Sequence, residues 1–200
     1  LRLSGDEGMK SWLSWKRVLL KNFEGFVAAQ SNAVKKHAEE FARRADAIRA
    51  QAEKFGFGEA LSIPMRVTPS TIPPELNQPQ LAQSAIGQFD VRVTPLQMAM
   101  VAAGVANDGT VMKPYLVQSV IGSDLSVIET TDEQELSQAV TPDVAAQLTR
   151  MMEAVVTDGS GKRAQIDGVA VAGKSGTAQH GEGRKAHAWF ISFAPADDPQ

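Results

Sequence analysis

Within five residues, Gly173-Lys174-Ser175-Gly176-Thr177, the chain gathers one cation, two hydroxyls and two glycines. That set suits anion binding: the ammonium supplies charge, the hydroxyls supply donors, and a glycine leaves backbone open to a ligand chain. Val169 and Val171 alternate into the segment as in a half-buried strand, and His187-Ala-Trp189-Phe190-Ile-Ser-Phe193-Ala-Pro195 reads as the second strand of one hairpin. Alternate side chains share a face of a strand, so Lys174 and Gly176 point one way and Ser175 and Thr177 the other. The same letters also suit a solvated turn with ordinary Gly and Ser, and the flanking sequence has to decide.

The quartet Lys174-Ser-Gly-Thr177 with the His-Ala-Trp-Phe strand behind it resembles the Lys-Thr/Ser-Gly motif of penicillin-binding proteins, serine D,D-transpeptidases related to β-lactamases. Six further stretches look like successive landmarks of the monofunctional class B type. They are Phe55-Gly-Phe-Gly58, Thr68-Pro-Ser-Thr-Ile72, Ala82-Gln-Ser-Ala-Ile-Gly-Gln88, Val93-Thr-Pro-Leu-Gln-Met-Ala99, Ala106-Asn-Asp-Gly109 and Met112-Lys-Pro-Tyr115. Their matching order is far more specific than the quartet alone. The resemblance implies an α+β fold, an antiparallel sheet flanked by helices and β-lactamase/transpeptidase-like, here incomplete. Residues 52–200 would form a partial penicillin-binding transpeptidase domain, with 1–51 a helical segment that matches the family poorly.

In that family a serine attacks the D-Ala-D-Ala bond of a peptidoglycan stem peptide, an amine resolves the acyl-enzyme as a cross-link, and β-lactams are trapped at the first step. The chemistry needs an activated nucleophile, a proton relay and an oxyanion hole, because a serine hydroxyl is a poor nucleophile at its free pKa and the tetrahedral intermediate is anionic. The resemblance implies that Lys174 is an electrostatic and proton-network residue, that Ser175 and Thr177 grip the terminal carboxylate beside the open backbone of Gly176, and that the Thr177 N–H is one oxyanion donor. It implies a stem peptide or β-lactam as ligand, room for other cell-wall synthesis proteins as partners, no cofactor or metal, and an extracytoplasmic, membrane-associated setting.

Two departures qualify this. No serine of the chain is followed three residues on by lysine: Ser4, Ser11, Ser14, Ser31 and Ser160, for example, lead to Glu7, Ser14, Arg17, Val34 and Arg163. The family's Ser-x-Asn position holds Gln30-Ser31-Asn32, so Asn32 fits as a substrate-binding residue while Gln30 stands in place of the relay serine; Ser31 substitutes only with a one-residue register change. The expectation is a transpeptidase fragment, inactive alone. A noncatalytic binding or scaffold module, or a truncated product without function, is the alternative.

Other patterns carry less. Gly159-Ser160-Gly161-Lys162 lacks the first glycine and the hydroxyl after lysine that a phosphate loop needs, since Val156 and Arg163 stand there, and it is assigned as a connecting loop. His180 and His187 have no ligand-spaced companion for a metal and read as loop or strand histidines. Glu39-Glu40 and Arg43-Arg44 read as a solvated helix face with i,i+4 pairs. The 200 residues are 43% hydrophobic and 22% charged, enough for one globular domain. A net charge of −3 offers no basic footprint for nucleic acid, and the absence of cysteine excludes disulfides and thiolate metal sites. No apolar run reaches the length of a bilayer span, and no signal-peptide pattern opens the chain.

The elements that must position the quartet follow from periodicity and caps. Residues 9–28 put Trp12, Trp15, Leu19, Phe23, Phe26 and Val27 near helical spacing as a stripe wide enough to bury, and 31–54 reads as a second helix with Phe41, Ala45 and Ile48 inward, stopped by Gly56 and Gly58. Prolines make 63–79 an extended loop. Thr94-Pro95 caps a core helix over 96–106, which ends at Asn107-Asp-Gly109. Residues 111–120 and 125–130 suit a hairpin turning at Gly122-Ser-Asp124. Thr141-Pro142 caps a helix to about 156 with Val144, Leu148, Met151, Met152 and Val155 on its packing side.

Overall fold

The structure, a computed structural model, describes residues 5–61, 63–181 and 183–199, and the side chains of all of these except 5–13, 15 and 19. The chain divides into two compact units, Leu1–Asp46 and Ala47–Gln200.

Helix α1 runs unbroken over Gly5–Lys54 and makes up the described part of the first unit. The two helices expected on either side of residue 30 are therefore one. No glycine or proline lies between Gly25 and Gly56, and Gln30-Ser31-Asn32 costs the helix too little to break it. The stripe expected to bury does not: Phe23, Phe26 and Val27 are exposed. The side chains of Trp12, Trp15 and Leu19, also assigned to it, lie outside the described residues. Ala45 is buried and Phe41 and Ile48 are half-buried, as their spacing predicts. Arg44 pairs with Glu40 one turn away, the i,i+4 contact expected of a solvated face.

The second unit opens on the last turns of α1. Gln51 Nε2 donates to the Ala139 carbonyl at 2.9 Å, Arg49 Nη2 to the Pro74 carbonyl at 3.0 Å, and the Ser137 hydroxyl to the Lys54 carbonyl. Gly56 then stops the helix with φ +91°, a conformation that favours glycine. The following loop is extended as its prolines require, held by the isolated bridges Ile63↔Met65 and Thr71↔Arg92. It ends earlier than expected, because α2 spans Gln78–Ser84. Asn77 accepts from the Gln80 N–H while the Gln80 side chain accepts from the Asn77 N–H, and Pro79 falls in the first turn, where no donor is needed.

Helix α3, Pro95–Ala106, starts where Thr94 accepts from the Gln97 N–H and ends at Asn107. It is core, with Gln97, Met100, Ala102, Gly104 and Val105 buried. Gln97, 1% exposed, donates to the Phe55 carbonyl at 2.6 Å, tying the helix to the loop after α1.

Strands β1 (Thr110–Met112), β2 (Ser119–Ile121), β3 (Val127–Thr130) and β4 (Glu135–Gln138) pair differently from expectation. The turn at 122–124 joins β2 to β3, but 111–120 is not one strand: β1 pairs with β4 instead. Pro114 lacks the N–H a continuous ladder would use, and the run breaks there. Helix α4, Pro142–Thr157, is capped by Thr141 as expected, yet its buried stripe is Ala145, Met152 and Val156, with Leu148 half-buried; Val144 and Met151 are exposed. Spacings of 3, 4 and 4 from Ala145 to Val156 draw a narrower face than an apolar count suggests.

Strands β5 (Ala172–Ala178) and β6 (His187–Phe193) form the expected antiparallel hairpin. The three ladders among the described residues are two-stranded and antiparallel, so the fold is α+β. Two clusters make the core. One joins Met100, Val111 and Ala139 with Phe55, Leu61, Leu96 and Leu136. The other joins Val105, Met152, Ala172 and Ala196 with Leu148, Ile191 and Phe193, so one end of the β5–β6 hairpin is built into the α3–α4 core.

Candidate functional site

Ala172 is fully buried against Val105 and Met152, and Val171 is 8% exposed. From that anchor β5 runs outward, and within three residues it is in solvent: Lys174, Gly176 and Thr177 are exposed and Ser175 is half-buried. The strand thus carries its polar quartet on a fixed base, with the charge and two of the three following residues free to meet a ligand. Ser175 lies opposite Phe190, Gly176 opposite Trp189 and Thr177 opposite Ala188. Gly173 is needed for packing, since a Cβ there would sit 2.5 Å from Phe190 Cζ.

Three side chains hold the quartet. Lys174 Nζ donates to the Ser175 carbonyl at 2.6 Å, Gln88 Nε2 donates to the Thr177 carbonyl at 2.8 Å, and the Ser175 and Ser160 hydroxyls lie 2.7 Å apart. The two carbonyls belong to residues two apart, so they lie on one edge of the strand. Gln88 and Ser160 were not among the expected site residues. Gln88 falls in a landmark stretch, and Ser160 falls in a connecting loop whose Gly-Ser-Gly sequence signals a close approach. A Cβ at Gly159 would meet the Val155 backbone at 2.9 Å, and one at Gly161 would meet the Val155 carbonyl oxygen at 3.0 Å and Phe190 Cε2 at 3.3 Å. The loop is therefore pressed between the end of α4 and the β6 side of the hairpin.

Chemically, this segment carries the kinds of donor that an anion takes. The Lys174 ammonium lies on one face of the strand and the Ser175 and Thr177 hydroxyls on the other, so charge and hydroxyl donors flank one short segment. It does not activate a serine: the side-chain partner of Ser175 is another hydroxyl, which is no general base, and Lys174 reaches a backbone oxygen. Asn32, the remaining expected substrate-binding residue, lies exposed on α1 in the first unit. His180 and His187 stack with ring centroids 3.9 Å apart, brought together by the hairpin where sequence spacing kept them separate, and His180 Nε2 lies 3.0 Å from the Lys185 carbonyl. Among the described residues no group of three or more metal-ligating side chains forms, and no helix is long and apolar enough to cross a membrane.

Residues 5–200 match the family model of the penicillin-binding protein transpeptidase domain, and the chain belongs to that family. The fold is the β-lactamase-like one of these domains, and the match is to the class B type. Within the family the chain is similar to the peptidoglycan D,D-transpeptidase PbpA of Mycolicibacterium smegmatis, 47% identical over 161 residues, which cover 78% of this chain and 32% of that protein. It is also 35% identical to stage V sporulation protein D of Bacillus subtilis, over 72% of this chain and 24% of that one. Among solved structures, penicillin-binding protein A of Mycobacterium tuberculosis superposes with a TM-score of 0.70 at 43% identity, covering 77% of this chain and 37% of that one. Its imipenem acyl-enzyme complex gives 0.72 at 42% identity, over 77% and 35%. The chain spans about a third of the first of these curated relatives and about a quarter of the second.

Proposed function

We propose that the chain contributes the substrate-gripping wall of a peptidoglycan D,D-transpeptidase, and that these 200 residues bind the carboxylate of a D-Ala-D-Ala stem peptide or a β-lactam without acylating. The observation that carries this reading is a quartet with three of its four residues exposed on a buried anchor: Lys174 supplies charge, Ser175 and Thr177 supply hydroxyl donors, and Gly176 puts no side chain between them. Thr177 N–H serves as an oxyanion donor and Lys174 as the electrostatic residue of the transfer step. Asn32 is the further substrate-binding residue in this reading, and residues 52–200 are the transpeptidase portion. The relatives' names support the activity, and the β-lactam acyl-enzymes formed by the Mycobacterium tuberculosis protein support the ligand class. The working place is the extracytoplasmic cell-wall machinery, with other synthesis proteins as partners and no cofactor.

Acylation fails here because the sequence holds no Ser-x-x-Lys and Ser175 has no base. Without the nucleophile, only binding and oxyanion stabilisation remain. Incubation with a fluorescent penicillin is expected to leave the chain unlabelled after denaturation. Stable label that disappears on substituting one serine overturns the assignment. Calorimetry with N-acetyl-D-Ala-D-Ala is expected to show weak binding that Thr177→Val abolishes.

A further inference from the structure

We infer that Ser160 is a positioning residue that sets the direction of the Ser175 hydroxyl and so makes this strand selective for a carboxylate over a neutral group. The inference rests on the reading of Ser175 as a carboxylate ligand. It begins from the 2.7 Å contact between the Ser160 and Ser175 oxygens, in which either oxygen can be the donor.

A hydroxyl has one hydrogen to give and two lone pairs to receive. A carboxylate offers acceptors only, so Ser175 must spend its hydrogen on the ligand. The contact with Ser160 then has one remaining polarity: Ser160 O–H donates to Ser175 Oγ, and Ser175 O–H donates to the anion. Bonds chained in one direction strengthen each other, so the ligand bond gains from the one behind it. A carboxamide can donate as well as accept, and it meets the pair in either polarity. Ser160 therefore matters to the anion and is nearly indifferent to the amide.

The loop that carries Ser160 is built to hold it. It leaves α4 at Thr157, and glycine on both sides of Ser160 lets the backbone pass within contact of Val155, where a Cβ at either position would stand 3.0 Å or less from the Val155 backbone. Gly161 also lies against the ring of Phe190, which is the cross-strand partner of Ser175. One aromatic thus fixes the spacing between the loop and the strand. Ser160 is itself exposed, so its contact with Ser175 is separable from stability.

The test compares N-acetyl-D-Ala-D-Ala with its C-terminal amide in amide NMR titrations of the 200-residue chain. The unmodified chain is expected to prefer the carboxylate. In Ser160→Ala that preference is expected to fall about two- to fourfold, the part of the charge-assisted Ser175 bond that a chained donor behind it supplies, while affinity for the amide stays unchanged. Ser160→Thr, which keeps the hydroxyl, is expected to keep the preference. An unchanged preference in Ser160→Ala, or an equal loss in Ser160→Thr, overturns the role of Ser160 and leaves the strand's own role standing. An unmodified chain without any preference overturns the reading of the strand, and the role of Ser160 with it. Thermal midpoints of the three proteins within about two degrees separate loss of direction from loss of fold.

Discussion

The β2–β3 and β5–β6 hairpins are both short, antiparallel and rich in apolar residues, and they stand in opposite situations. Every residue of β2 and β3 is exposed, including Val120, Ile121, Val127 and Ile128, and the ladder slips between Val120 and Ile121. The β5–β6 ladder keeps a continuous register over seven pairs and starts from Ala172 at 0% exposure. Apolar strand sequence therefore does not by itself make a platform. What separates the two is the helix pair under one of them: Val105 of α3 and Met152 of α4 clamp Ala172, and the exposed quartet inherits that rigidity.

The sharpest way to break this contrast is to remove the clamp. Met152→Ala deletes a side chain that is 8% exposed and packed on Ala172, and it should cost about 2–5 kcal/mol. Ile128→Ala on β3, where the side chain is 68% exposed, should change stability by no more than about 0.5 kcal/mol. Urea unfolding midpoints read both. Equal costs would mean that β2–β3 is as much a part of the cooperative unit as β5–β6.

A smaller pair of changes compares the hairpins at matched glycines. Gly173→Ala puts a Cβ against the Phe190 ring and should destabilise by about 1–3 kcal/mol, because the ring cannot move without releasing the Gly161 loop that it also touches. Gly122→Ala meets Asp124 Oδ1 at 2.8 Å and Ser126 Oγ at 3.2 Å, a hydrogen-bonded pair of exposed side-chain ends that can shift together, and about 0.5 kcal/mol is expected. Equal penalties measured by thermal unfolding would show that Phe190 yields as easily as a surface carboxylate, and the site would then be less rigid than its register suggests.

The contrast also explains what the sequence could reveal. The quartet, its hairpin and the capped helices α3 and α4 were legible because their signals are local: strand alternation, Thr-Pro caps, and a cation between hydroxyls and glycines. The pairing of β1 with β4 was not, since it depends on Pro114 breaking a run whose β-branched residues otherwise continue. The exposed Phe23, Phe26 and Val27 show the same limit, for helical spacing defines a face without saying what covers it. Helix α2 could have been found from Asn77-x-x-Gln80 with Pro79, a capping signal masked by the prolines upstream. The contacts of Ser160 and Gln88 with β5 were missed for another reason. The two residues meet the strand from 15 and 89 residues away, and neither distance leaves a periodic trace.

The least of the expected effects tests the two hairpins by acid. The Ser126 hydroxyl and N–H, at 2.6 and 3.1 Å, hold the Asp124 carboxyl below its ordinary value, because both donate to the ionised form. A group whose folded pKa is depressed contributes stability above its unfolded pKa and loses it as pH falls through the folded one. Asp124 is fully exposed, so the loss is local: below the ordinary carboxylate range the turn at 122–126 loosens while the rest of the chain holds. The Ser160–Ser175 contact joins two hydroxyls that carry no charge across that range, so this contact has nothing to lose there. Amide NMR between pH 6 and 2 should move the Ser126 resonance with an apparent pKa below that of a free aspartate and leave Ser175 in place. Asp124→Asn should erase the Ser126 titration. If Ser175 titrates together with Ser126, the hairpins are coupled, and the rigidity of the quartet would depend on a turn that acid can open.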